Sequence, residues 1–184
     1  ELLGEIVSWD VEGKEISFAT IRDALNGAGL DKDAIGEMTP KAAFQRACKD
    51  LKQDRAIDKV ENRKGEIKFQ FTKKTLEEQH MEYEYECFVI LSTETGAVSC
   101  PENPDLATKA EELIQHAIGH RNAQDITRLV QNLFGKHADL FPINPRKGVA
   151  YFVPEEHREF TAKIDHFLSC VGGSLARFPV PKGT

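Results

Sequence analysis

The stretch TPKAAFQRACKDLKQDRAIDKVENRKGEIKFQFT, residues 39–72, decides how the chain is read. Thr39 followed by Pro40 is a helix start, because the threonine hydroxyl can accept a free N–H of the first turn and proline costs no hydrogen bond at the first helical position. Ala43, Phe44, Ala47, Cys48 and Leu51 then recur at helical spacing as far as about Gln53. Lys41, Gln45, Arg46, Lys49 and Lys52 occupy the other face. Past that point the period drops to two. Ile67, Phe69 and Phe71 alternate with Glu66, Lys68 and Gln70, and 56–61 matches 66–72 as a second extended segment. Residues 62–65 read as a four-residue loop between them. The stretch is therefore an amphipathic basic helix followed by a basic hairpin.

Working outward, residues 3–11 have strand character. Ser17 is an N-cap for a helix over 18–28 whose stripe is Ile21, Ala24, Leu25 and Ala28, with Gly29 as its stop. Residues 31–37 allow one more helical turn. On the other side, 73–80 is polar and marks the expected domain boundary. A strand over 82–92, a turn at 93–96 and a short strand to Cys100 follow. Helices are expected at 105–119 and 123–134, separated by Asn122. Then come a loop holding Pro142 and Pro145, a strand over 149–153, a helix over 155–171 stopped by Gly172-Gly173, and a last strand over 175–180. The fold class is α+β: an N-terminal unit over 1–76, then an α+β unit over 77–184 made of a hairpin, two helices and a strand–helix–strand segment.

The chain has 184 residues and a formal net charge of −6, with 40% hydrophobic and 29% charged residues, which is globular composition. The charge is unevenly placed. Residues 39–74 hold 11 basic and 5 acidic side chains, whereas 77–112 hold 1 basic and 10 acidic. An acidic chain with one compact basic block excludes non-specific polyanion binding by the whole surface and leaves one face able to do it. The block can equally pair with the acidic stretch, in this chain or in another copy.

No window is apolar enough for a membrane span. The N-terminal residues lack the pattern of a secretory signal, so the expected setting is a reducing cytoplasm with free thiols. Cys48 and Cys170 fall on apolar helix stripes and read as core residues, and Cys87 and Cys100 can face each other across a hairpin without being bridged. The Pro-Lys-Gly near the end reads as a linker inside a longer parent chain.

Catalytic signatures are thin. Glu66-Ile67-Lys68 with Asp58 is the residue set by which some nucleases hold a metal and polarise a phosphate, but the spacing is short and alternation puts Glu66 and Lys68 on a polar face. His116 and His120 stand at i, i+4 without the Glu of H-E-x-x-H. No Gly-rich phosphate loop occurs. The aromatic residues read as core first, and the acidic EYEYE at 82–86 would repel a nucleic acid. The reading is a non-enzymatic module with no metal and no cofactor.

The order helix, turn, basic helix, basic hairpin over 16–74 resembles a winged-helix domain, a variant of helix-turn-helix. That resemblance implies a recognition helix at 39–53 and a wing at 56–72. It implies that Lys41, Gln45, Arg46, Lys49 and Lys52 face duplex DNA, with Arg63 and Lys64 at the wing tip, since Arg and Gln read base edges and Lys neutralises phosphate. Asp31, Asp33 and Glu37 between the helices depart from that pattern. YFVP at 151–154 and GGSLARFPVP at 172–181 are similar to an uncharacterised domain of bacterial and phage proteins. The expected function is duplex-DNA binding through the basic helix and wing. The alternative is a protein-interaction or assembly module, by self-association or with another protein, and neither involves a membrane.

Overall fold

The computed structural model describes residues 1–77, 80–144 and 150–183. Glu78, Gln79, Pro145 and Val149, which the sequence reading placed in a boundary, a loop and a strand, lie outside the described residues. The fold is α+β, and the chain forms two compact units, residues 1–36 with 120–184, and residues 37–119.

The first unit is built on strands far apart in sequence. β1 (Leu2–Val11) lies between β10 (Gly173–Pro181) and β9 (Tyr151–Pro154), with β8 (Phe141–Pro142) at the edge, all antiparallel. β2 (Ile16–Ser17) pairs with β7 (His120–Arg121). Helices α1 (Phe18–Gly27), α4 (Ala123–His137) and α5 (Arg158–Cys170) bury Ile21, Leu25, Ile126, Val130, Phe134, Ile164 and Phe167 in one core with Val7 and Val153. The caps are those that the sequence supplies: Ser17 Oγ accepts from Thr20 N at 3.1 Å, and Asn122 and Asp125 form a capping box. The 31–37 turn is a 3-10 turn over Lys32–Ala34. Phe178, Ile6, Phe152 and Phe141 stand opposite one another across all four strands, alternate with core positions, and so line the other face of the sheet.

The second unit runs α2 (Pro40–Leu51), β3 (Arg55–Arg63), β4 (Glu66–Glu77), β5 (His80–Ser92), β6 (Val98–Ser99) and α3 (Pro104–Gly119). Its sheet is an antiparallel meander in the order β3-β4-β5-β6. Phe71, Cys87, Val89, Leu91 and Val98 point to one face, where α2 and α3 add Phe44, Ala47, Leu51, Leu106, Ala110 and Ile114.

Four expectations change. The boundary expected after 76 falls within the long β4–β5 pair, where Glu77 stands opposite His80. A polar, charged run can be an extended ribbon as readily as a linker. The loop between β3 and β4 is two residues, Lys64-Gly65, with Asn62 and Arg63 already paired to Ile67 and Glu66 and Gly65 at φ 84°. Such short turns match strand twist when the glycine takes the left-handed conformation. Cys170 is exposed, two positions past Leu168, the last buried residue of α5. Finally, α1 and α2 bury their stripes in different cores, and α2 takes α3 as its helical neighbour. A winged helix needs both helices in one core, so the winged-helix resemblance is not supported.

Burial pushes the Cys48 thiol up to about 11, and burial, with a hydrogen bond to Cys100, pushes Cys87 up to about 12. All four cysteines are free, and only Cys170 is exposed. A thiol reagent on the native protein should titrate one cysteine quickly and the rest only on unfolding. The same burial carries a pH dependence. Unfolded thiols lose protons from about pH 8.5, whereas Cys48 and Cys87 hold theirs to about 11 and 12. The unfolded state then binds fewer protons, so stability falls as pH rises through that window. Melting temperatures across it should drop less steeply in Cys48→Ala; an unchanged slope would contradict the burial of this thiol.

Candidate functional site

α2 shares a core with the sheet face that carries Phe71, Cys87 and Val89, and its side chains meet those of β3 and β4 around an opening. The result is a groove of about 370 Å³ lined by Lys41, Phe44, Gln45, Cys48 and Lys52 of α2, Ile57 and Lys59 of β3, and Ile67 and Phe69 of β4. Its floor is apolar, with the Phe44 and Phe69 rings 4.5 Å apart between centroids. The floor thiol, Cys48, is kept neutral by burial. The rim is basic. Thr39 Oγ1 accepts from Ala42 N at 3.3 Å and fixes the start of α2, so Lys41, Gln45 and Lys52 fall on its groove side. Lys59 reaches the same face because it pairs with Phe69, one of the floor residues. Among the described residues, Lys41, Lys52 and Lys59 make no ion pair, and Asp58 pairs with Gln70 on the opposite face of the sheet.

Of the seven residues expected at a nucleic-acid interface, Lys41, Gln45 and Lys52 come together here. Lys49 is exposed, and Arg46 is half-buried. Arg63 is not beside α2: it pairs with Glu66 on the far face of the sheet and holds Glu61 in an ion pair at 2.6 Å. Lys64 sits in the turn. The expected helix and wing therefore do not form one surface. Sequence reasoning missed Lys59, Phe44 and Phe69 as groove residues. Lys59 would have emerged from its alignment with Phe69, but the bulge between Lys59 and Glu61 shifts the alternation and hides it.

Elsewhere, Glu66 and Lys68 do lie on the polar sheet face, where Lys68 Nζ sits 4.1 Å from the Phe88 ring centroid. Arg55 forks onto Glu86 at 2.6 and 3.1 Å, which raises its pKa, so its charge is committed internally. In the first unit, Asp139, Glu156 and His157 bring one ligand atom each within 4.8 Å of one another. Two of the three are exposed, and the His157 Nε2 contacts of 3.5 Å to each carboxylate are those of a surface ion-pair cluster.

A family model matches residues 2–184, all of the chain but its first residue. The chain belongs to DUF6744, a family of unknown function. The resemblance at 151–154 and 172–181 to an uncharacterised domain lies inside the DUF6744 match, which adds no winged-helix likeness. No curated protein and no solved structure matches the chain. Among the described residues, no helix is long and apolar enough to cross a membrane.

Proposed function

We propose that the chain is a protein-interaction module whose working surface is the α2–β3 groove, and that it receives a segment with apolar side chains flanked by carboxylates. One observation carries this reading: the lysines rim an apolar floor. A phosphate backbone has nothing to bury on the half-buried Ile57 and Phe69, whereas a peptide with alternating apolar and acidic residues satisfies floor and rim together. Lys41 and Lys52 are eleven positions apart on α2, about 16 Å along the axis, which matches roughly five residues of extended chain. The apolar contacts supply most of the affinity, and the lysines supply orientation and on-rate.

Duplex DNA is the second reading, favoured by the exposure of Lys41, Gln45, Lys49 and Lys52 along one helix. The two separate in a side-by-side anisotropy titration of a labelled peptide of alternating glutamate and leucine and a short DNA duplex. The expected result is peptide binding that Ile57→Asp weakens about tenfold or more, and that Lys52→Glu weakens about two- to fivefold, as loss of an exposed ion pair does. Binding of the duplex alone, with affinity falling steeply as salt rises by counterion release, would replace this proposal with the DNA reading.

A further inference from the structure

The β4–β5 pair outruns its sheet. β3 stops pairing at Lys73 and Lys74 N still donates to the Asp54 carbonyl, so Thr75–Glu77 of β4 and His80–Glu82 of β5 pair only with each other, in a two-stranded arm. Register assigns its faces. Lys74 stands opposite Tyr83 and Leu76 opposite Met81, and the next same-face pair at the root is Thr72 with Tyr85. One face of the arm thus carries a stripe of Leu76, Met81, Tyr83 and Tyr85, with Lys74 beside Tyr83 and Thr72 beside Tyr85. The four stripe residues are 73%, 54%, 61% and 47% exposed, so the stripe is a surface of the arm and not part of a core. The opposite face carries Glu77, Glu82 and Glu84 with Lys73 and His80. At the root, the Tyr85 hydroxyl donates to Glu102 at 2.6 Å, which pushes its pKa up to about 12 and fixes the direction of the stripe.

A contiguous exposed apolar stripe backed by carboxylates marks a surface made to be covered. It also has the chemistry that the α2–β3 groove selects. We infer that the occupant of the groove is the β4–β5 arm of a second copy of this chain. The inference rests on the groove reading above and names its partner. Leu76, Met81 and Tyr83 settle on the half-buried Ile57 and Phe69. Lys41, Lys52 and Lys59 lie along the walls with their stems on apolar surface, and their ammonium groups meet Glu77, Glu82 and Glu84. The charges are opposite in sign: three lysines on the rim, and an arm whose three glutamates outnumber Lys73 and Lys74. Arm and groove are different surfaces of one unit, so the contact is head-to-tail, and copies add into a ring or an open chain. Two tyrosines and two aliphatic side chains, with the surface they cover, bury on the order of 1,000 Å², the lower bound of a specific interface. Assembly should therefore depend on concentration and weaken with salt.

Sedimentation velocity of the full chain over a concentration series, at low and moderate salt, tests this. The expected result is a mass that grows with concentration and falls with salt. Leu76→Asp with Met81→Asp on the arm, and Lys52→Glu with Lys59→Glu in the groove, should each leave a monomer. All four side chains are exposed, and circular dichroism should show both variants folded. Mixing the two variants is the decisive arm. The first keeps an intact groove and the second an intact arm, so one contact is rebuilt and a mixed dimer appears. A wild-type monomer at every concentration, or self-association that survives either variant, overturns the inference. Binding of the glutamate–leucine peptide, measured on the same samples, separates the two failures. A monomer that binds the peptide refutes only the second copy as occupant, and one that does not refutes the groove as well.

Discussion

Arg177→Ala should cost about 3–5 kcal/mol of stability, the range for removing one partner of a buried ion pair. Glu5 is 6% exposed, on the core-facing side of the central strand of the first unit. Its carboxylate has a guanidinium fork on it, with Arg177 Nε at 3.0 Å and Nη2 at 2.7 Å, and Asp165 lies 3.8 Å from Nη1 on the outer side. Alanine would leave Glu5 buried with no cation. Against a total of about 5–15 kcal/mol for a domain, that loss is large. Chemical denaturation measures it. The double variant Glu5→Leu/Arg177→Met should recover most of the stability, because an apolar pair of similar volume often replaces a buried ion pair at little cost. A single variant within about 1 kcal/mol of wild type would show that Glu5 escapes to water and that the fork is dispensable.

Gly4→Ala should be nearly as damaging for a steric reason. A Cβ on Gly4 would stand 2.2 Å from the carbonyl oxygen of Val153 and 2.7 Å from the Phe152 ring. The ring can swing away, but the oxygen belongs to β9, which pairs with β1 at Gly4↔Pro154, so strand β9 itself must move. Overpacking costs about 1–3 kcal/mol and occasionally more, and a backbone collision lies at the upper end. For a chain of this length about 3 kcal/mol lowers the melting temperature by roughly 10 °C. Gly13→Ala is the control, since nothing lies within 4 Å of its added Cβ. Equal melting temperatures for the two variants would sink the argument.

What the sequence made legible follows from the range of the interactions involved. The α+β class, the caps at Ser17 and Thr39, and the burial of Phe44, Ala47, Cys48 and Leu51 are set within a turn or two of chain, and the structure has them. The partner of each helix is a long-range matter. Periodicity shows that α1 and α2 each bury a stripe, but it does not show that Ile21 and Phe44 enter different cores, so adjacency was read as a helix pair. The basic face of α2 was legible as a set of charges. Its apolar floor was not, because Ile57 and Phe69 reach it only through pairing across a bulged hairpin.

The insertion of residues 37–119 into the first unit sets an order of events on the ribosome. β1 is among the first segments to emerge, yet its neighbours β9 and β10 are among the last, and Glu5 is separated from Arg177 by 172 positions. At about 5–20 residues per second, the nascent β1 waits roughly 10–30 s for its partners. The inserted unit has all its strands and both helices by residue 119 and can complete its folding during translation. Arg121 then donates to the Gly36 carbonyl at 3.0 Å, drawing the two ends of the insertion together as soon as the chain re-enters the first unit. Until β10 arrives, β1 keeps an unpaired edge on a tethered, half-made unit. On a crowded polysome its hazard is a neighbouring chain's β10, so the slow step in making this protein is also where two nascent copies can exchange strands.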